Sequence, residues 1–209
     1  MTSRLPLWLI ICMALAALAT SSTAWAQVQP TKTKVKIKVK PVVTTVYIVR
    51  HAEKDSTTNP EDPALSAVGQ VRAEALRQTL ERRQPAALFT TNTVRTRATL
   101  APLAVATKLE PQVYDPRRGR DLADLIMKQY AGKSVVIVGH SNNLLSLIDD
   151  FGAVPPVDAI GENEYEYLFT VRVADGFSPT VETRGYGAER KKKAAAKPAA
   201  TATRVAPMK

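Results

Sequence analysis

The chain has few of the residues that most often staple a fold or carry out chemistry. Its 209 residues include one cysteine, Cys12, and two histidines, His51 and His140. A single cysteine excludes an intrachain disulfide and any zinc centre built on several thiolates. No apolar run reaches the ~20 residues that span a bilayer comfortably. No internal repeat is present, which excludes stacked-repeat architectures. Stability must come from packing. A hydrophobic content of 45% supplies a core, and the length suits one medium domain.

The beginning of the chain has the pattern of an export signal. Arg4 gives a positive start, Leu7 to Leu18 forms a short apolar run, and Ala24-Trp25-Ala26 places small residues around a cleavage point. Residues 1–26 are therefore expected to be a signal peptide cut after Ala26, and the mature protein to be periplasmic or secreted, without a transmembrane span. An uncleaved anchor is the other reading. Lipid attachment at Cys12 is disfavoured because bulky Ile11 precedes it. Cleavage would leave a mature chain with no cysteine.

A net charge of +10 suggests a nucleic-acid binder until it is located. Residues 41–187 hold 16 Lys+Arg against 18 Asp+Glu and are slightly acidic. The basicity lies in two flanks. One is a linker over 27–41, with Lys32, Lys34, Lys36, Lys38 and Lys40. The other is an Ala/Lys/Pro tail over 188–209. The alternation of Lys with Thr, Val or Ile at 31–40 fits a strand with one basic face, or a solvated linker stretched by like charges. The tail has almost nothing to bury and reads as disordered. Such flanks touch anionic surfaces nonspecifically; no specific nucleic-acid partner is expected.

Between the flanks, strand and helix patterns alternate. Strands are expected at 42–49, 86–89, 112–114 and 134–138. Helices are expected from Leu65-Ser66 onward, at 94–107 with a kink at Pro102, at 121–130 and at 143–149. In the first helix Val68, Val71, Ala75, Leu76 and Leu80 form the expected apolar face. Segments 165–173 and 180–184 are expected to pair as a hairpin around Ala174-Asp175-Gly176. The sum is an α/β fold of three layers, α/β/α, with a mostly parallel sheet and helices on both faces. Ligands on such sheets bind at the C-terminal ends of the strands.

Both histidines stand at such ends, in Val46-Tyr47-Ile48-Val49-Arg50-His51 and in Val135-Val136-Ile137-Val138-Gly139-His140. Arg50 adds a two-pronged clamp for phosphate or carboxylate. After the 86–89 strand, Thr90 to Arg97 supplies hydroxyls, Arg95, Arg97 and the amides of a helix N-terminus, which favour an anion. Three strand ends thus deliver Arg, His, Arg and His to one edge.

Val-Arg-His-Ala-Glu-Lys at 49–54, Leu65-Ser66 with Gly69, the run from Thr91 through Arg95 to Thr99, and Gly139-His140-Ser141-Asn142 resemble the ordered motifs of the histidine phosphatase (phosphoglycerate mutase-like) superfamily. The similarity covers about residues 43–150 and is to the compact, phosphohistidine-phosphatase-like branch. It implies a phosphoglycerate mutase-like fold over a domain at 42–187, with no cofactor and no metal. It implies a phosphatase for phosphomonoesters or phosphoramidates, carried on a small substrate or a phosphoprotein. His51 would attack phosphorus and become a phosphohistidine. Arg50, Arg95 and a protonated His140 would surround the transferring oxygens, with Ser141 and Asn142 beside them.

Two departures from the family pattern stand out. Ala52 replaces the glycine that many relatives carry after the Arg-His pair, which requires a negative φ there. The proton donor to the leaving oxygen is not evident; Asp115 is the first candidate and Glu53 the second. Three other readings remain at this stage. One is a mutase on the same residues. Another is a metal site on His51, His140, Glu53 and Asp115. The third is a non-catalytic phosphate-binding envelope protein of the same fold.

Overall fold

The computed structural model describes residues 41–57 and 59–187. The expected signal peptide, all of the basic linker except Pro41, and the tail lie outside the described residues. Among the described residues no helix is long and apolar enough to cross a membrane.

Among the described residues six strands make one sheet: β1 (Val43–Arg50), β2 (Ala87–Thr90), β3 (Gln112–Val113), β4 (Ser134–Gly139), β5 (Tyr167–Ala174) and β6 (Thr180–Gly185). Their spatial order is β3-β2-β4-β1-β5-β6. The first four run parallel, and β5 and β6 are added antiparallel as a hairpin. Among the described residues four α-helices connect them: α1 (Ala67–Leu80), extended by a 3-10 turn over Glu81–Arg83, α2 (Val94–Thr107), α3 (Gly119–Gln129) and α4 (Leu144–Asp150).

The continuous apolar runs of β1 and β4 follow from burial on both faces. Val46, Ile48, Val135 and Ile137 pack with Leu122 and Ile126 of α3 and Leu144, Leu147 and Ile148 of α4. The alternate residues, Tyr47, Val49, Val136 and Val138, pack with Leu76 and Leu80 of α1 and Leu100 and Leu103 of α2. The expected three-layer α/β/α arrangement is what forms. Each fully buried aliphatic side chain contributes about 1.5–3 kcal/mol, so the strands that carry the site are its most firmly held part.

The core face of α1 differs from the expected one. Val68 and Val71 are 61% and 66% exposed, and the buried residues are Gly69, Arg72, Ala73, Leu76 and Leu80. The cause is a close approach: a Cβ on Gly69 would overlap the backbone carbonyl oxygen of Glu53. Glycine is what lets the helix come so near, and its contact turns Arg72 inward in place of Val71. Arg72 offsets its burial by donating to both carboxylate oxygens of Glu53, at 2.7–2.9 Å, and to the Tyr186 carbonyl at 3.0 Å. Pro102 sits inside α2, which runs as one helix over its expected span. The hairpin forms with Gly176 at φ 78° in its turn.

Candidate active site

Parallel pairing of β1 with β4 sets the two histidines side by side. Arg50 is in register with Gly139, so both chains leave the sheet at one level. The His51 amide then donates to the Gly139 carbonyl at 2.9 Å, and the imidazole centroids lie 5.4 Å apart. Gly139 has to be small, because a Cβ there would lie 2.8 Å from both Asn143 Oδ1 and the Tyr114 hydroxyl. Asn143 uses that oxygen to accept the His140 amide at 2.8 Å, which fixes the turn carrying the second histidine.

Arg50, His51, Arg95, His140, Ser141 and Asn142 line one cleft of about 460 Å³, together with Lys54, Pro116, Glu162, Asn163 and Tyr165. All of the residues given clamp, nucleophile or substrate-contact roles on sequence grounds are thus brought together. The two proton-donor candidates are not among them. Glu53 has both oxygens taken up by Arg72. Asp115 Oδ1 accepts the Arg117 amide in a tight turn, and its side chain lines a separate shallow cleft with Phe89 and Gln112. Arg97 is engaged with Asn92 on the surface. The two histidines therefore have neither carboxylate that the metal reading gave them.

The ring of His51 is oriented by its own backbone. Nδ1 lies 2.8 Å from the Ala52 carbonyl oxygen. A carbonyl only accepts, so Nδ1 carries the proton and Nε2 keeps its lone pair. Nε2 has no hydrogen-bond partner among the described residues. Burial is the main cause that lowers the His51 pKa to about 3, and the neighbouring Arg50, Arg95 and His140 add to it. The ring is therefore neutral at ordinary pH, as a nucleophile must be. Ala52 keeps a negative φ and donates its amide to Thr99 at 2.9 Å, so the methyl causes no strain.

His140 is held by the opposite nitrogen. Nε2 is 2.9 Å from Thr91 Oγ1, and Nδ1 is 3.4 Å from Arg95 Nη2. Arginine only donates, so Nδ1 accepts and Nε2 carries the proton. The hydroxyls of Thr91 and Thr96 continue the chain at 3.0 Å and end on the Thr91 carbonyl. Burial, with Arg95 next, lowers the His140 pKa to about 4. The protein alone thus holds His140 neutral, and the protonation expected of it falls to a bound anion.

Each arginine has its own support. Arg50 Nη1 donates to the carbonyls of Gly161, Glu162 and Glu164 at 2.8, 2.9 and 3.3 Å. Its guanidinium lies 4.2 Å from the centroid of the Tyr165 ring. Nε of Arg50 is buried with no partner. Arg95 Nη1 instead meets the Asp62 carboxylate at 3.3 Å. Both Asp62 oxygens also accept the Val94 amide at 3.1 Å, and Thr93 Oγ1 accepts the Thr96 amide. The α2 N-terminus, expected to offer free amides to an anion, is thus largely capped from within.

Sequence reasoning missed Asp62, Tyr165 and the carbonyls of 161–164. Asp62 precedes Pro63, far from α2 in sequence; Tyr165 acts through its ring, and Gly161, Glu162 and Glu164 act through backbone carbonyls that leave no side-chain signature.

Residues 46–117 match the sequence profile of the histidine phosphatase superfamily, branch 1. No curated protein matches the chain in sequence. Among solved structures, YhfR of Bacillus stearothermophilus is similar at a TM-score of 0.57 and 18% identity, covering 70% of this chain and 99% of its own. A mycobacterial glucosyl-3-phosphoglycerate phosphatase with inorganic phosphate gives 0.54 and 15%, over 70% and 98%. The protein histidine phosphatase SixA with tungstate gives 0.53 and 15%, over 68% and 96%. These similarities show a shared fold. Residues 46–117 thus carry the profile of the histidine phosphatase superfamily, and the ordered motifs of the sequence converge on one cleft.

Proposed function

We propose that this protein is an exported phosphatase that hydrolyses phosphomonoesters or phosphoramidates through a phosphohistidine on His51. The observation that carries the reading is the orientation of the His51 ring. Nδ1 is bound to a carbonyl and Nε2 is unengaged, in a cleft whose other walls carry Arg50, Arg95 and His140. The lone pair of Nε2 attacks phosphorus, the bond to the leaving oxygen breaks, and water then releases phosphate from the imidazole. Arg50 and Arg95 hold the non-bridging oxygens as charge develops on them.

An arriving phosphate dianion reverses the balance at His140. It favours the charged imidazole, which can then donate from Nδ1 to a phosphoryl oxygen. Its other N–H stays on Thr91. No metal is required in this scheme. Arg50, Lys54 and Arg95 in the cleft repel a cation, so turnover is expected to survive chelators. The glucosyl-3-phosphoglycerate phosphatase and protein histidine phosphatase named for two of the similar structures fit a phosphorylated small molecule or a phosphoprotein as substrate.

The test is hydrolysis of 4-nitrophenyl phosphate by the full chain, with and without EDTA, beside His51→Ala. Turnover that is lost in the variant and kept in EDTA is expected; undiminished turnover in the variant refutes the reading. Export with cleavage after Ala26 is part of the same proposal. The mass of the mature protein from the producing cell checks it.

A further inference from the structure

The proposed reaction lacks one participant. An alkoxide leaving group needs a proton as its bond to phosphorus breaks, and the carboxylates near the motifs are engaged elsewhere. Glu53 is bound to Arg72. Asp62 spans Arg95 and the α2 N-terminus. Asp115 caps its own turn.

We propose that Glu162 is the general acid and base of this phosphatase; the inference rests on the reading given above. Among the described residues Glu162 is the one acidic residue that lines the cleft. Its side chain has no hydrogen-bond or ion-pair partner among them. Its backbone is anchored to the phosphate clamp, because the Glu162 carbonyl accepts from Arg50 Nη1 at 2.9 Å. The turn that carries it is pinned as well. The Glu164 amide donates to the Gly161 carbonyl at 3.1 Å. The Gly161 amide donates to Glu164 Oε2 at 2.8 Å, and the Tyr167 hydroxyl donates to Glu164 Oε1 at 3.1 Å. Glu164 is thereby used to build the loop, and Glu162 is left at the edge of the cleft with its carboxylate unengaged. Arg50 ties the position of the acid to the position of the phosphoryl group.

The steps balance. Nε2 of His51 forms a bond to phosphorus, and the P–O bond breaks with its electron pair on the leaving oxygen. That oxygen takes the proton from the Glu162 carboxyl and departs as an alcohol. The Glu162 carboxylate next removes a proton from water while the water oxygen bonds to phosphorus. The P–N bond breaks, and its electron pair returns to Nε2. Glu162 ends protonated, ready for the next cycle.

The experiment compares the full-length wild type with Glu162→Gln on 4-nitrophenyl phosphate and benzyl phosphate. Nitrophenolate leaves without help, whereas benzyl alkoxide does not. The variant is expected to lose about 10²-fold or more of kcat/KM on benzyl phosphate and less than about 5-fold on 4-nitrophenyl phosphate. It should also release nitrophenol in a burst followed by a slower steady state, because the water step has lost its base. Equal losses on both substrates, or none on either, overturn the role of Glu162. Failure of the phosphatase reading looks different: the wild type hydrolyses neither compound, or His51→Ala keeps its rate. In that case the role of Glu162 falls with it.

Discussion

The two strand ends that form the cleft solve the same problem in opposite ways. At the end of β1, His51 gives its Nδ1–H to a backbone carbonyl and keeps Nε2 open. Beside it, Arg50 is held by three carbonyl oxygens and one aromatic face. These partners are neutral, so the guanidinium keeps its full charge. At the mouth between β2 and β4, His140 gives its Nε2–H to Thr91, and Arg95 leans on the Asp62 carboxylate. There one charge is already partly met. On the proposed mechanism the β1 side attacks and holds, and the β4 side becomes positive when an anion arrives. Two histidines with similar strand contexts would then differ in role because different ring nitrogens are engaged.

Breaking the β1 side should have the largest effect. His51→Ala is expected to lower turnover by at least about 10³-fold, since the nucleophile acts as a unit with its clamps. His140→Asn should cost less, about 10²-fold in kcat, because it removes one stabilising donor and leaves the nucleophile. Kinetics on an aryl phosphate check both; equal losses would erase the distinction between the rings.

Support behind the β1 end is tested through stability. Glu53→Gln removes the carboxylate to which Arg72, 3% exposed, donates and should cost about 1.5–3 kcal/mol. Urea denaturation measures this. A variant as stable as wild type but inactive would instead return Glu53 to candidacy as the proton donor.

The pH dependence of stability sharpens the same comparison. Both histidines are held neutral when folded, with pKa values lowered to about 3 and about 4. The unfolded chain binds protons first, near pH 6.5, so stability is complete above that value and is lost as pH falls below it. The loss contributed by His140 levels off near pH 4, and that of His51 continues to about 3. Denaturation midpoints of His51→Asn and His140→Asn should each lose part of this slope.

The smallest effect is expected at Asp62. Asp62→Asn keeps an acceptor for the Val94 amide and removes the negative charge beside Arg95. KM for a phosphate ester should fall about 3-fold, within the range of a single charge at a helix N-terminus. A rise in KM would show that Asp62 chiefly orients Arg95.

Most of the layer order and the strand-end residues were legible from periodicity and motif order. Buried strands announce themselves as continuous Val and Ile runs, and β1 and β4 begin within a residue of their expected starts. The face of α1 was not legible, because Val68 and Val71 satisfy a helical pattern that Gly69 overrides by touching the Glu53 carbonyl. Asp115 looked like a donor because it follows β3, yet its turn chemistry claims the side chain. The charge state of His140 was hidden too, since it depends on burial and on Arg95 approaching from another strand end.

The most direct measurement is rapid acid-free quench of the wild type during turnover of a radiolabelled aryl phosphate, followed by mapping of the acid-labile label. The account predicts phosphate on the peptide containing His51 and none on the peptide containing His140. Label on His140, or rapid turnover with no labelled histidine at any time, would contradict it.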